Sequence, residues 1–114
     1  MTKYKVVFHI DEQSKSALVL NNIRNLIIDL GEENVEIEML ANGDAVKILV
    51  QSTSEFGQLL NDLAEKHVAF CACANSLRNF VIQKNELLNF VTVVSAGVSE
   101  LVKKQAIGWA YIRP

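Results

Sequence analysis

The chain has little of several residue types and patterns that mark common protein classes. It holds one proline and five glycines among 114 residues, and neither type clusters into a linker or a low-complexity stretch. Lysine and arginine number 11 against 13 aspartates and glutamates, for a net charge of -2. The basic residues are scattered, and only Lys103 and Lys104 are adjacent. We therefore expect no nucleic-acid partner, because phosphate binding needs clustered basic side chains.

Long apolar runs are also missing. No run approaches the roughly 18 residues that a membrane helix requires. The amino-terminal sequence lacks the apolar stretch and the small-residue cleavage site of a signal peptide. These features predict a cytoplasmic protein without membrane association, in which Cys71 and Cys73 are free thiols. On an extended strand the two side chains would lie about 7 Å apart on one face, too far for an unstrained disulfide.

Motifs for nucleotides, hydrolytic serines and structural metals are absent from the sequence. Neither G-x-G-x-x-G nor G-x-x-x-x-G-K-[ST] occurs, and no G-x-S-x-G elbow is present. His9, Cys71 and Cys73 are conceivable metal ligands, but a Cys-x-Cys pair lacks the four-ligand pattern of a structural zinc site. We therefore expect no metal and no cofactor.

What is present is an alternation of strand-like and helix-like segments in a chain that is 50% hydrophobic and 21% charged. This composition and length indicate one folded domain, residues 1–114. The predicted strands are residues 4–10, 35–40, 67–73, 90–94 and 109–112. The predicted helices are residues 17–30, 45–50, 53–66, 75–83 and 97–106. The alternation predicts βαβ units, hence a parallel sheet with helices on both faces.

The segment around the cysteines is the most informative part of the chain. An apolar run over residues 67–73 ends at Cys73, and a helix-cap pattern, Asn75-Ser76, follows directly. A strand that ends in a cysteine and turns into a helix places the sulfur at the carboxyl edge of the sheet. The partial positive charge at a helix amino end favours the reactive thiolate. We therefore predict that Cys73 is more reactive than Cys71, which lies deeper in the strand.

Other polar or small residues follow the predicted strands and should lie at the same edge, where open α/β sheets bind ligands. They are His9, Asp11, Asn42, Gly43, Asn75, Ser95 and Gly97. Structural alternatives stay open for several of them. Cys73 is also compatible with the role of a small buried apolar residue. His9 is compatible with a hydrogen bond to a loop backbone, and Asp11 with a helix cap. Gly43 fits a turn that needs a positive φ.

Three segments resemble the DsrE/DsrF-like (YchN-like) family. Residues 68–77 resemble the family's cysteine motif, and residues 94–102 and 105–114 resemble its carboxyl-terminal part. The most specific portion is the tail Gly-Trp-Ala-Tyr-Ile-Arg-Pro, residues 108–114. His9, residues 22–25 and residues 41–43 fit as well, so the similarity spans essentially the whole chain.

The resemblance implies a three-layer α/β/α sandwich with a five-stranded parallel sheet, assembled as trimers or hexamers. Sulfur-trafficking members carry a persulfide on a cysteine between donor and acceptor proteins, and the matching position is Cys73. Cys71 stands where this subgroup usually has an aliphatic residue, which makes it an extra thiol. The implied function is a cytoplasmic sulfur carrier. Its pocket would be lined by His9, Asn42, Gly43, Asn75, Ser95 and Gly97. Whether the protein is an enzyme, a sulfurtransferase, stays open.

The alternative is a non-enzymatic oligomeric module that binds a small ligand or serves assembly, with an incidental cysteine. Thiol reactivity near neutral pH separates the two hypotheses. For the assembly itself, we expect Trp109, Tyr111 and Ile112 and apolar residues of segment 53–66 to lie between subunits. The competing interpretation is that these residues cover the domain's own core.

Overall fold

The computed structural model describes residues 3–52 and 54–114, and its centre is a five-stranded sheet. The strands are β1 Tyr4–Ile10, β2 Val35–Ala41, β3 Ala69–Cys73, β4 Val91–Val94 and β5 Ala110–Ile112. Their order is β4-β3-β2-β1-β5, and every neighbouring pair is parallel. The predicted five-stranded parallel sheet is confirmed.

In residues 3–52 and 54–114, four α-helices connect the strands. They are α1 Ser16–Leu30, α2 Gly57–Glu65, α3 Ala74–Asn79 and α4 Gly97–Ala106. A 3-10 segment, Gly43–Leu49, precedes α2. Helix α1 ends at Gly31 as predicted, where φ is 96° and the N–H donates to the Ile27 carbonyl at 2.9 Å. None of the helices in the described part of the chain is long and apolar enough to cross a membrane.

The strand order places the helices on both faces of the sheet. The chain steps from β1 to β4 one strand at a time, then returns across the sheet to β5 at the opposite edge. Right-handed crossovers therefore put α1, α2 and α3 on one face and α4 alone on the other. The apolar contacts follow this division: the larger core includes Phe8, Ile23, Met39 and Phe70. The smaller one joins Val7, Leu40, Cys71, Leu101 and Trp109.

Charged side chains lie between α4 and the sheet. Glu38 of β2 is only 4% exposed, and its carboxylate lies 3.6 Å from the Lys104 ammonium. The same ammonium is 3.9 Å from Glu100 and 4.5 Å from the centre of the Trp109 ring. Because a buried charge needs a partner, this cluster fixes how α4 sits on the sheet.

Several local predictions need correction. Residues 45–49 belong to the 3-10 segment and Val50, predicted as helical, is extended; α3 ends at Asn79 instead of residue 83. The end of α3 has a physical cause: Ile82 donates to the Leu77 carbonyl, and Val81 takes a φ of 55°. Such a bond closes a helix and turns the chain away. Helix α2 was predicted to begin at residue 53 but begins at Gly57. Thr53 itself lies outside the described residues.

The proposed cap at Asp11 is wrong. Its carboxylate accepts a hydrogen bond from Arg113 at 2.7 Å, and no side chain caps the start of α1. The main-chain N–H of Gln13 instead donates to Asp44 at 2.8 Å. No local pattern predicts this arrangement, because Asp11 and Arg113 are 102 positions apart and are brought together by the pairing of β1 with β5.

Candidate functional site

Cys73 lies at the junction of β3 and α3, as predicted. Phe70 and Ala72 alternate with the cysteines along β3 and pack into the larger core. Cys71 and Cys73 therefore point to the face that α4 covers. Gly97, the first residue of α4, packs directly against the site: a Cβ atom there would lie 3.3 Å from the Cβ of Cys73. A glycine at this position lets the amino end of α4 approach the sulfur closely.

Several hydrogen-bond donors surround the Cys73 sulfur. Burial alone would raise the pKa of this thiol. The Ser76 hydroxyl and the main-chain N–H groups of Ser76, Gly97 and Asn75 act in the opposite direction, and the net effect lowers the pKa below its ordinary value. These groups belong to the amino ends of two helices, α3 and α4.

Cys71 has the opposite surroundings. Burial raises its pKa to about 12, and the carboxylates of Glu38 and Glu100 add to the rise. Lys104 acts against this shift. A pKa this high favours the protonated thiol for Cys71 at neutral pH. That Cys73 is the more reactive of the two stays a prediction.

Ser76 links the cysteine to the end of β2. Its hydroxyl oxygen accepts a hydrogen bond from the main-chain N–H of Gly43 at 2.8 Å. Gly43 has a φ of 57°, and a Cβ atom there would lie 2.8 Å from the Asp11 carbonyl oxygen. The turn predicted at Asn42-Gly43 is therefore confirmed, and it also holds the serine beside Cys73.

A chain of polar side chains continues along the same edge of the sheet. His9 Nε2 lies 2.9 Å from Asn42 Oδ1, and His9 Nδ1 lies 2.7 Å from the Tyr111 hydroxyl. This pairing fits the tautomer that carries its proton on Nε2. The Cβ of Asn42 would be 3.3 Å from a Cβ at Gly97, so Asn42 and Cys73 both pack against Gly97 at the start of α4. His9, Asn42 and Cys73 thus lie at one edge.

The remaining predicted site residues contribute differently. Asn75 acts on the sulfur through its main-chain N–H, while its side-chain oxygen accepts a hydrogen bond from Arg78. Ser95 is exposed just after β4, and no hydrogen bond joins it to the cluster in the described residues. Ser76 is not among the predicted site residues, because the sequence pattern marks it only as part of a helix cap. The Cys-x-x-Ser spacing was the available signal, because residues three apart at a helix start face each other.

Comparison with known proteins agrees with these observations. Residues 3–114 match the DsrE/DsrF-like family. The chain belongs to this family. No curated protein matches it.

Solved structures share the fold of this DsrE-like chain. A protein of unknown function from Methanobacterium thermoautotrophicum is 43% identical with a TM-score of 0.91, over 98% of this chain and 100% of that one. The ychN protein of E. coli is 18% identical with a TM-score of 0.74, over 100% of both chains. A conserved protein of unknown function from Bacteroides thetaiotaomicron is 15% identical with a TM-score of 0.75, over 96% of this chain and 94% of that one. The last two likenesses concern the fold alone.

One group of side chains in this DsrE-like domain has the composition of a metal site. The ligand atoms of Glu38, Cys71 and Glu100 lie within 4.8 Å of one another. The Lys104 ammonium, 3.6 Å and 3.9 Å from the two carboxylates, already supplies a cation there. We therefore describe the group as an ion-paired cluster.

A cavity of about 540 Å³ is lined in part by the residues that follow α3, Phe80, Val81 and Ile82. Its wall includes Lys47, Phe56, Phe80 and Glu86, and Lys47 lies over the Phe80 ring at 4.5 Å from its centre. Cys73 is not part of the lining. The thiol and this cavity are therefore separate features of the domain.

Proposed function

We propose that this protein is a sulfur carrier that accepts a sulfane sulfur on Cys73 and passes it to another thiol. Membership of the DsrE/DsrF-like family supports the proposal. The observation that carries it is the set of donors around Cys73, which lowers the pKa of that thiol. The thiolate is the form of cysteine that attacks sulfur, so a lowered pKa makes Cys73 the better nucleophile near neutral pH.

The loading step is a sulfur exchange. The Cys73 thiolate attacks the outer sulfur of a donor persulfide, R–S–SH. A new S–S bond forms on Cys73 while the S–S bond of the donor breaks, and R–S⁻ leaves and takes up a proton. The products are Cys73–S–SH and R–SH, and the step consumes no external oxidant or reductant. Release repeats the exchange with an acceptor thiol. The donor and acceptor would be proteins of the cytoplasm.

Intact mass spectrometry tests the loading step. The protein is incubated with cysteine persulfide at neutral pH, separated from the donor and weighed without reductant. We expect a gain of one sulfur atom that dithiothreitol removes. Cys73→Ser should abolish the gain, and the matched variant Cys71→Ser should retain it. A gain that survives Cys73→Ser, or no gain in the unmodified protein, would overturn the proposal.

We also propose that the protein forms a homo-oligomer, a trimer or a hexamer, through the outer side of α4. Val98, Val102 and Ile107 are 60 to 70% exposed there, and Tyr111 and Ile112 of the edge strand β5 are partly exposed. Side chains of this kind are common at subunit interfaces. Leu60 and Leu63 of α2 and Trp109 are buried in the domain's own core, so we leave them out of the proposed interface.

Light scattering at micromolar concentration tests the assembly. We expect a mass of three or six chains, and Val102→Asp should reduce it to that of one chain, because a buried unpaired carboxylate is costly. Leu18→Asp is the matched control, since Leu18 is 52% exposed on α1, on the other face of the sheet. A monomer mass for the unmodified protein would refute the assembly.

A second candidate function is an oligomeric small-ligand-binding module in which Cys73 is incidental. The cavity beside α3 favours it, because about 540 Å³ is within the usual size range of ligand sites. This function predicts ligand-dependent stabilisation that Phe80→Ala removes and Cys73→Ser does not. Thermal unfolding against a panel of small organic molecules measures both effects.

A further inference from the structure

The charged cluster between α4 and the sheet includes a buried carboxylate that is only partly satisfied. Glu38 is 4% exposed, and no group in residues 3–52 and 54–114 donates a hydrogen bond to its Oε2 atom. Its Oε1 atom lies 3.6 Å from the Lys104 ammonium, which is an ion-pair distance but too long for a good hydrogen bond. A buried oxygen without a partner costs free energy, so this position favours a further cation or a proton.

Two further side chains bring metal-ligating atoms to the same place. The sulfur of Cys71 on β3 and a carboxylate oxygen of Glu100 on α4 lie within 4.8 Å of Glu38 and of each other. Around a tetrahedral zinc ion, with bonds of about 2.3 Å to sulfur and about 2.0 Å to oxygen, ligand atoms lie about 3.3 to 3.6 Å apart. Glutamate side chains rotate about several single bonds, and such rotation can draw the group together by about 1 Å.

We propose that Glu38, Cys71 and Glu100 form a zinc site that links α4 to β2 and β3. Each residue supplies one ligand atom, and a water molecule takes the fourth position, as in other zinc sites with three protein ligands. The Cys71 thiol releases its proton to solvent when its sulfur binds the ion. The site goes beyond the proposed sulfur-carrier function and does not depend on it. It would correct the expectation of no metal, because local spacing does not reveal three ligands that come from three elements.

The charges of the cluster agree with a divalent ion. Two carboxylates and the Cys71 thiolate carry three negative charges, and a zinc ion together with the Lys104 ammonium carries three positive charges. Lys104 does not have to leave when the ion binds. Its ammonium also lies 4.5 Å from the centre of the Trp109 ring, and this attraction does not depend on either carboxylate. The ion pairs of Lys104 and the zinc site are therefore compatible.

The ligand types select the metal and define the competing occupants. A thiolate with two carboxylates suits zinc, whereas magnesium and calcium bind through oxygen atoms alone. The first competitor is a proton shared by Glu38 and Glu100, which would satisfy the same oxygen without any metal. The second is a metal ion held by Cys73 instead of Cys71, because Cys73 forms a thiolate more readily. A direct bond between the ion and the Cys71 sulfur distinguishes the proposal from both.

The experiment uses Co²⁺ as the probe, because this ion replaces zinc in tetrahedral sites and its bond to a thiolate absorbs strongly in the near ultraviolet. The protein is freed of metal with a chelator, Co²⁺ is added at neutral pH while the absorption is recorded, and Zn²⁺ is then added as competitor. The ligand variants are Cys71→Ser, Glu38→Gln and Glu100→Gln. The matched controls are Cys73→Ser and Glu36→Gln, since Glu36 lies on the same strand as Glu38 but is exposed.

We expect the unmodified protein to show the thiolate band with one cobalt ion per chain, and Zn²⁺ to remove the band. Cys71→Ser should abolish it, each glutamine variant of a ligand should weaken cobalt binding by about tenfold or more, and both controls should keep the band and the affinity. Circular dichroism checks each variant, and if one does not fold, the other ligand variants decide.

Three results would overturn the proposal. The lack of a thiolate band in the unmodified protein would favour the shared proton. A band that Cys73→Ser removes and Cys71→Ser keeps would place the ion at Cys73. Unchanged affinity in the folded glutamine variants of Glu38 and Glu100 would show that the carboxylates are not ligands. None of these results depends on whether Cys73 takes up sulfur, so the zinc site and the carrier function can fail separately.

Discussion

Cys73 and Cys71 lie two residues apart on one strand and on one face of the sheet, yet their surroundings shift their pKa values in opposite directions. Both thiols are buried, so burial alone cannot separate them. The separation comes from what faces each sulfur. Hydrogen-bond donors of α3 and α4 face Cys73, whereas the carboxylates of Glu38 and Glu100 face Cys71.

The difference follows from the position of each residue along β3. At the end of a parallel strand the chain turns into a helix, and the free N–H groups of helix starts are available to an anion. In the middle of the strand those N–H groups are used in the sheet, and only side chains remain to interact. A reactive thiol is therefore favoured at Cys73 and disfavoured at Cys71 by the same architecture.

The largest expected effect is the loss of reactivity in Cys73→Ser. The surroundings raise the pKa of Cys71 to about 12, whereas they lower the pKa of Cys73 below its ordinary value. In Cys73→Ser, the alkylation rate at pH 7 should fall by about a hundredfold or more. In Cys71→Ser, the rate should stay within about twofold of that of the unmodified protein. Labelling with iodoacetamide, followed by intact mass, measures both rates. If Cys71→Ser lost the rapid labelling and Cys73→Ser kept it, Cys71 would be the reactive thiol and the comparison would be reversed.

The next effect concerns stability and the carboxylate that faces Cys71. Burial raises the pKa of Glu38 to about 7, with help from Glu100 and against Lys104. The folded protein therefore binds this proton more tightly than the unfolded chain. The free energy of unfolding should fall as pH rises from about 4.5 to about 7, by up to about 2–3 kcal/mol, and then level off.

Urea unfolding at pH 5 and pH 7.5 measures this fall. Glu38→Gln keeps the shape without the charge, so its stability should depend much less on pH over that range. Glu36→Gln is the matched control, because Glu36 lies two residues earlier on the same face of β2 and is exposed beside Lys5. A pH dependence that persists in Glu38→Gln would show that the cluster under α4 does not hold a proton on this residue.

Glu38 also shows where sequence analysis reaches its limit. The alternation around residues 35–40 makes Glu36 and Glu38 look equivalent, as two outward side chains of one strand. Only the long return from β4 to β5 distinguishes them, because it lays α4 over Glu38 and leaves Glu36 exposed. The order of strands in the sheet is a long-range property that the local pattern does not contain.

The site was predictable to the extent that it depends on strand ends. An apolar run that stops at Cys73 is visible in the sequence, and so are the glycines that follow the second and fourth strands. The contacts between those strand ends could not be predicted from the local pattern. Gly43 and Ser76 are 33 positions apart, and His9 and Tyr111 are 102 positions apart. Each contact requires that particular strands be neighbours.

A smaller effect is expected where α4 meets the reactive thiol. A Cβ at Gly97 would lie 3.1 Å from Leu40 and 3.3 Å from both Asn42 and Cys73, so Gly97→Ala must displace the start of α4 slightly. We expect a loss of about 1–2 kcal/mol in stability and a several-fold slower alkylation of Cys73, because the Gly97 N–H moves away. Gly57→Ala is the control, since a Cβ there meets nothing within 4 Å. Unchanged alkylation in Gly97→Ala would limit the donor group to α3.

The smallest expected effect lies at the far end of the edge, in Tyr111→Phe. The variant removes the hydroxyl that pairs with His9 at 2.7 Å but keeps the ring, which packs at 5.8 Å from the imidazole. Tyr111 is 38% exposed, so water can replace the lost partner, and stability should change by about 0.5 kcal/mol or less. The donors that lower the pKa of Cys73 belong to Ser76, Gly97 and Asn75, so its alkylation profile should keep the same midpoint. A shifted midpoint would mean that groups beyond those facing Cys73 and Cys71 on β3 also determine the pKa of Cys73. The polar chain from Asn42 through His9 to Tyr111 would then belong to the surroundings of the thiolate as well.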